Sequence, residues 1–168
     1  MTTQITDMML YENETYFLFW SDGDSLPGPN DFEISINRDQ LCSACWSGFH
    51  SIYEVFDSRL LLKDMTIYTK DHSTKINNTA PTVSPSGGSV TYEKVNLVVT
   101  HTGKLTIAKD MCFGLNVPND LIDPIIFNDV YDLTFLKGRL VSSVNISKQM
   151  ERQRNDGTLD RFLDDIPF

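Results

Sequence analysis

Tyr53-Glu54-Val55-Phe56-Asp57-Ser58-Arg59-Leu60-Leu61-Leu62 reads as two strand-like runs around a polar turn. The same plan returns in Tyr131-Asp132-Leu133-Thr134-Phe135-Leu136-Lys137-Gly138-Arg139-Leu140-Val141. In both stretches a turn residue, a cation and a leucine open the second run, and a third copy of that phrase stands at Gly103-Lys104-Leu105. Apolar runs on both sides of a two-residue turn are typical of β-hairpins, with the turn here at Asp57-Ser58 or Lys137-Gly138. The sequence therefore predicts a domain built from hairpins.

The rest of the chain extends this pattern to a mainly β fold. A further hairpin is predicted over 8–20, and short strands over 32–36, 92–100 and 104–108. Short strands separated by frequent turns favour a hairpin-built sandwich or half-open barrel, with an α+β fold as the alternative. A length of 168 residues fits one domain.

The predicted domain organisation is a single β-rich domain over 1–146 followed by a helical C-terminal tail over 147–168. Residues 69–90 contain two prolines, two glycines and few large apolar side chains. We expect a mobile loop there, because such a composition buries too little apolar surface to offset the entropy of ordering.

Helical patterns are short. Residues 38–47 predict a helix that Asn37 caps, with Leu41, Ala44 and Cys45 on one face. A second short helix is predicted to begin near Asp110. The last helix, after Thr158, carries an apolar stripe at i, i+3, i+4 and i+7, and we expect this stripe to dock on its own sheet or on a second chain: Leu159, Phe162, Leu163 and Ile166.

Charge is unevenly distributed along the chain. The net charge is −9, of which residues 1–40 carry −7 and the remaining 128 residues −2. An acidic surface argues against nucleic acid, whose phosphates need lysine and arginine, and favours a protein partner with a basic surface. The alternative is that the acids only keep the protein soluble. The predicted partner-binding residues are four acids together with the apolar stripe of the tail: Glu12, Glu14, Asp22, Asp24, Leu159, Phe162, Leu163 and Ile166.

Cys42-Ser43-Ala44-Cys45 is the sharpest local pattern for chemistry. A C-x-x-C pair can hold half of a zinc site or act as a redox pair. No second C-x-x-C or H-x3-5-H is present, so we predict no metal and no cofactor, and expect the cysteines to pack a helix face. The alternative is a metal or catalytic site that combines Cys42 and Cys45 with His50 or His101.

Aromatic side chains are frequent and leave two interpretations open. The first is packing in the core and across strands. The second is an exposed aromatic face that contacts a partner. The residues concerned are Tyr16, Phe17, Phe19, Trp20, Trp46, Phe49, Tyr53 and Phe56.

The N-terminus lacks a positive region followed by an apolar run, and no apolar run is long enough to span a membrane. We therefore expect a cytoplasmic protein that does not contact membranes. The chain also contains no G-x-S-x-G, no phosphate-binding P-loop and no H-E-x-x-H.

Several of these phrases resemble a set of bacterial hypothetical proteins over roughly residues 5–146: Ser43-Ala44-Cys45-Trp46-Ser47-Gly48-Phe49, Tyr53-Glu54-Val55, Leu60-Leu61-Leu62, Thr102-Gly103-Lys104-Leu105 and Gly138-Arg139-Leu140. That family has no assigned activity, so the resemblance transfers no functional residues. The function predicted from the sequence is a non-enzymatic interaction protein of the bacterial cytoplasm. It would bind another protein through an acidic surface, in the manner of an inhibitor or immunity-type protein, and self-association is possible. The alternative is a small enzyme or metal-binding protein that uses the two cysteines and a histidine.

Overall fold

A computed structural model of the protein describes residues 5–112 and 122–157. Within these ranges the fold is mostly β, with one C-terminal α-helix and short 3-10 turns. The elements are β1 (Met8–Tyr11), β2 (Glu14–Gly23), β3 (Phe49–Phe56), β4 (Arg59–Ile67), β5 (Thr82–Val83), β6 (Val90–Tyr92), β7 (Leu97–Val98), β8 (Gly103–Met111), β9 (Phe127–Leu136), β10 (Arg139–Asn145) and α1 (Ser147–Asn155).

Three two-residue turns set the hairpins β1–β2, β3–β4 and β9–β10. They are Glu12-Asn13, Asp57-Ser58 and Lys137-Gly138, and all six residues have φ between 48° and 81°. Positive φ at both central positions defines the type I′ turn, whose twist matches that of the flanking strands. The hairpin predicted over 8–20 and those predicted around Asp57-Ser58 and Lys137-Gly138 are thereby confirmed, with β2 extending to Gly23.

The sheet curls until its two sides meet. Its strands follow the order β10-β9-β8-β2-β1-β3-β4, with β1–β3 as a parallel pair, and β10 returns to pair with β4. That closure consists of Arg139 opposite Arg59, held by Leu60 N–H donating to Gly138 O and Leu140 N–H donating to Ser58 O, at 2.9 and 2.8 Å. The remaining edge of β4 pairs with β6 and β7. The fold is therefore the β-rich, barrel-like architecture that the hairpin pattern predicts.

Two apolar clusters lie on the two faces of the sheet. The larger one fills the inside of the curl and includes Tyr16, Leu18 and Leu60. The smaller one lies outside, where α1 packs Met150 against β8 and β9. The Arg154 guanidinium secures the helix by donating from Nη1 to the carbonyls of Ile125 and Phe127, at 2.6 and 2.7 Å. No helix in the described ranges has the length and apolar character that crossing a membrane requires.

Residues 38–47 do not form the expected helix. Only Arg38–Gln40 makes a 3-10 turn, which the Asn37 side chain caps by accepting from Asp39 N–H. The backbone that follows is held by residues distant in the sequence, since Ile5 N–H donates to Ala44 O and Tyr68 N–H donates to Gly48 O. These long-range hydrogen bonds replace the i to i−4 bonds that a helix would need.

Other elements predicted from local sequence also differ in the structure. Asp110 lies within β8 and does not begin a helix. The single strand expected over 92–100 is divided into the end of β6 and the two-residue β7, both paired with β4. The short strand expected over 32–36 is irregular, although Ile34 is fully buried there. The remainder of the helix expected after Asp110 and the helix expected after Thr158 lie outside the described residues.

Residues 69–90 carry more hydrogen-bonded structure than their composition suggests. The Asp71 carboxylate accepts from the N–H groups of Ser73 and Thr74, and Tyr92 donates its hydroxyl to Thr74 O. Ile76 is buried in the main core. The turn over 84–89 follows a β5 of only two residues at the edge of the sheet. Mobility of residues 69–90 stays a prediction, and the turn over 84–89 is the part of the segment where we expect it.

We expect subtilisin to cut native protein first within 84–89. A protease cuts where the chain opens locally. This turn contains few buried apolar groups, and it is held by the two-residue β5 and by hydrogen bonds of Ser84 and Ser86. Mass spectrometry of early fragments locates the first cut. First cleavage within 49–67 or 127–145 would contradict the hairpin assignments, and first cleavage at 70–79 would contradict the anchoring role of Asp71 and Ile76.

Candidate functional site

The four predicted acidic residues do not form one patch. Glu12 and Glu14 flank the start of β2, while Asp22 and Asp24 lie at its other end. Glu14 and Asp22 are eight residues apart along an extended strand, which corresponds to about 26 Å at about 3.3 Å per residue. This separation exceeds a Debye length of about 8 Å at physiological salt. The two ends of β2 therefore act as separate charges toward a partner.

Three of these four acids also form ion pairs or hydrogen bonds within the fold. Glu14 pairs with Lys109, which is a neighbour of Asp129 as well. The Asp22 carboxylate accepts from Lys104 N–H at 2.7 Å, and the Asp24 carboxylate accepts from Thr102 N–H at 2.9 Å. Only the exposed Glu12 has no such contact with the described residues. Leu159, Phe162, Leu163 and Ile166 lie outside those residues.

The cysteines of the C-x-x-C pair occupy different environments. Cys42 is exposed, and the Tyr68 hydroxyl 3.3 Å from its Sγ lowers the pKa of the thiol. Cys45 is buried and donates its thiol to Phe49 O at 3.6 Å. Burial lowers the pKa of His50. Among residues 5–112 and 122–157 no three or more His, Cys, Asp or Glu side chains are grouped so that they could hold a metal.

A cleft of about 340 Å³ opens beside the acidic end of β2. We call it the Trp20 cleft and define it by its lining residues: Asp7, Trp20, Gly23, Ser25, Leu26, Pro27, Phe49 and Tyr53. Trp20 is 57% exposed, so much of its ring is open to a partner. Its indole N–H donates to Asp24 O at 3.2 Å, so the ring is held in place while its face stays open.

Asp7 provides the carboxylate of this cleft. It directly precedes β1, and its Oδ1 accepts from Ser51 N–H on β3 at 2.7 Å. Burial raises the pKa of Asp7 above its ordinary value of 3.8, and the hydrogen bond from Ser51 opposes that shift. Asp7 also contributes to raising the pKa of the buried Tyr53, after burial itself. A charged group in apolar surroundings is costly until a cation reaches it.

The turn-rich segment at residues 24–28 forms a wall of the Trp20 cleft. Its backbone is anchored by Asp24 N–H donating to Thr102 O, and Tyr53 donates its hydroxyl to Pro27 O at 3.4 Å. On the other side of the wall lies a second cleft of about 420 Å³, lined by Asp24, Ser25, Pro27, Asp31, Phe32 and residues 97–101. Its residue His101 is 2% exposed, and burial keeps the pKa of this ring below its ordinary value. The two clefts on either side of the wall are therefore lined by three carboxylates, those of Asp7, Asp24 and Asp31.

Sequence reasoning missed Asp7 and recognised Trp20, Phe49 and Tyr53 only as members of a general aromatic set. The turn signals over 21–30 indicated an exposed loop but not the two clefts it separates. The contact of Asp7 with Ser51 joins residues 44 positions apart, and no local pattern reveals it. The exposure of Trp20 was equally hidden, since its neighbours Leu18 and Phe19 both pack into apolar clusters.

This arrangement can bind a cationic group. Aromatic faces attract an ammonium or guanidinium group through the ring quadrupole, by about 0.5–2 kcal/mol. The Asp7 carboxylate in the same cleft adds direct charge complementarity that strengthens as water is excluded. Comparison of the chain with protein-family models, curated proteins and solved structures finds no match. The geometry of the cleft is therefore the basis for a functional proposal.

Proposed function

We propose that this protein is a non-enzymatic interaction protein of the bacterial cytoplasm that binds another protein through a basic surface on that partner, in the manner of an inhibitor or immunity-type protein. The observation that carries the proposal is the Trp20 cleft, which is lined by both an exposed indole and the half-buried carboxylate of Asp7. A lysine or arginine side chain of the partner is the group that this cleft fits.

The residue types in the cleft support this choice. Tryptophan, tyrosine and arginine dominate the binding energy of protein interfaces, usually in pockets that exclude water. Trp20 provides exposed aromatic surface on the sheet, while Tyr53 is fully buried behind the cleft. An incoming arginine would add a second of these residue types. The net charge of −9 would raise the rate at which a basic partner arrives.

Surrounding acids refine the original expectation of an acidic face. Asp22, Asp24 and Asp31 lie near the Trp20 cleft but each accepts a main-chain N–H. Glu12 and Glu14 lie at the far end of β2. The acids near the cleft thus attract a cation toward Asp7. Glu12 and Glu14, at the far end of β2, contribute to this attraction only at low salt.

A peptide pair tests the proposal directly. The probe is an apolar nonapeptide with one central arginine, and its control carries citrulline, which has the same shape without the charge. The chain has two tryptophans, so the variant Trp46→Phe leaves Trp20 as the only indole reporter. We expect the arginine peptide to change Trp20 fluorescence at concentrations at least tenfold lower than the citrulline peptide requires.

Salt and charge variants extend this test to association kinetics. We expect the association rate of the arginine peptide to fall as salt rises from 20 to 300 mM, because ions screen the attraction. Glu12→Gln should change that rate less than Asp31→Asn, which removes the same charge beside the clefts. Equal affinity for both peptides, or an association rate that does not change with salt, would overturn the proposed function.

A further inference from the structure

The repeated phrase of the sequence forms a surface that the Trp20 cleft does not include. Phe56 pairs with Arg59 across the β3–β4 turn, Arg59 pairs with Arg139 across the barrel closure, and Arg139 pairs with Leu136 across the β9–β10 turn. The four residues therefore stand in one line across four strands. We call this line the arginine row.

All four side chains of the arginine row point outward. Each is exposed, with Phe56 at 64% and Leu136 at 56%. Their neighbours along the strands, Val55, Leu60, Phe135 and Leu140, belong to the main core or pack against it. Alternation along a strand places successive side chains on opposite faces, so the row lies on the outer surface of the barrel.

The two arginines are closer than ordinary surface neighbours. The hydrogen bonds that flank the pair run from Leu60 N–H to Gly138 O and from Leu140 N–H to Ser58 O. This places Arg59 and Arg139 at a non-hydrogen-bonded position, where opposite Cα atoms are about 4.5 Å apart. Like charges directly opposite one another destabilise a sheet. The fold therefore places two like-charged side chains at directly opposite positions, at a cost in stability.

No acid among the described residues neutralises this pair. The ion pairs in those ranges involve Lys63, Lys104 and Lys109. Lys104 is the cation of the third copy of the phrase, and it has Asp132 as its partner at 3.6 Å. Arg59 and Arg139 have no hydrogen bond or ion pair there. With Lys137 and Asp57 in the two turns, the tips carry a net charge of +2 within a chain of −9.

We propose that the arginine row binds a phosphorylated side chain in a segment of a partner protein. A phosphate monoester carries about −1.5 to −2 charge at pH 7 and three acceptor oxygens, which matches two guanidinium groups and a local charge of +2. A single carboxylate is already satisfied by one bidentate arginine. Phe56 and Leu136 offer apolar contacts on the two sides of the phosphate, at the places where residues flanking it would lie.

The same observations argue against other sources of phosphate. The row lies on the convex outside of a barrel, whereas small free ligands bind in concave pockets. An anionic membrane would repel the rest of a protein with net charge −9. A second copy of the chain would bring two more arginines against the first two. A phosphorylated protein segment fits because it is long enough to contact Phe56 and Leu136 while its charge is concentrated at one point.

The test uses a heptapeptide with phosphoserine between leucines, and its serine and glutamate counterparts. We expect the phosphopeptide to bind wild-type protein at least tenfold more tightly than either counterpart. Arg59→Gln and Arg139→Gln should each weaken that binding by about 10- to 100-fold, the equivalent of one charge-assisted hydrogen-bonding partner. Arg38→Gln is the matched control, because it removes an exposed arginine from a 3-10 turn and should leave the affinity unchanged.

Each alternative outcome contradicts the proposal in a recognisable way. Equal affinity for the glutamate peptide would indicate an acidic segment without phosphate, and binding to inorganic phosphate as tight as to the peptide would indicate a free ion. Binding only to vesicles with 30% phosphatidylserine would indicate a membrane. Melting temperatures measured in chloride buffer verify that the variants are folded. Under these conditions the removal of one arginine should leave stability unchanged or raise it, because it relieves the repulsion between Arg59 and Arg139. Unchanged phosphopeptide affinity in both folded variants would overturn the proposal, and this test is independent of the arginine-peptide test of the Trp20 cleft.

Discussion

Gly138→Ala is expected to lower the free energy of unfolding by about 3 kcal/mol or more, the largest stability effect we predict for a single methyl group. Gly138 is buried with φ +81°, and a Cβ there would lie 2.2 Å from Val99 O. Its own N–H donates to His101 O, and its carbonyl accepts from Leu60 N–H. Any backbone shift that relieves the clash therefore disturbs the hydrogen bonds that close the barrel. Urea unfolding followed by tryptophan fluorescence measures the change.

Gly87→Ala is the matched control for this effect. Gly87 also has a positive φ, of +74°, but a Cβ there meets no heavy atom within 4 Å. It isolates the cost of a left-handed backbone, about 1 kcal/mol, from the cost of the clash. Comparable losses in Gly138→Ala and Gly87→Ala would show that the clash with Val99 O adds nothing to the cost of the left-handed backbone.

Local sequence patterns predicted the hairpins because type I′ turns are determined within a few residues. Asp57-Ser58 and Lys137-Gly138 tolerate positive φ and lie between apolar runs, so turn and strands agree. Barrel closure was beyond this kind of reasoning. Arg59 and Arg139 are 80 positions apart, and nothing in either hairpin indicates that its tip meets the other.

The helix expected over 38–47 shows the opposite case, where a local pattern lost to tertiary structure. Leu41, Ala44 and Cys45 have helical spacing, but only three apolar residues in a ten-residue segment follow it, which is a weak signal for a helix. Hydrogen bonds from Ile5 to Ala44 and from Tyr68 to Gly48 draw the segment against other parts of the fold. For the candidate site, composition drew attention to acids and aromatics. The pairing of Trp20 with Asp7 depended on the register of the β1–β2 hairpin against β3.

Asp7→Asn is expected to make the protein more stable while it weakens the proposed binding of a cation. Burial raises the pKa of Asp7, so the folded state holds this proton more tightly than the unfolded state does. The free energy of unfolding therefore falls as pH rises from about 3.8 through the raised pKa, and the loss persists at neutral pH. Asparagine keeps an oxygen that accepts from Ser51 N–H but has no charge to bury. We expect a higher melting temperature at pH 7 and a weaker decline of stability between pH 4 and 7.

Binding should change in the opposite direction. Removing one member of a buried charge pair costs about 2–5 kcal/mol, so the arginine peptide should bind Asp7→Asn about 30-fold or more weakly. Asp31→Asn is the matched control, because it makes the same charge change at an exposed carboxylate that accepts from Gly28 N–H. We expect this control to leave the melting temperature unchanged and the peptide affinity within about threefold of wild type. A carboxylate kept in the fold at a cost to stability is understandable if it serves binding, since functional sites are where proteins give up stability. Asp7→Asn that loses stability, or that binds the arginine peptide as well as wild type does, would remove Asp7 from the proposed site.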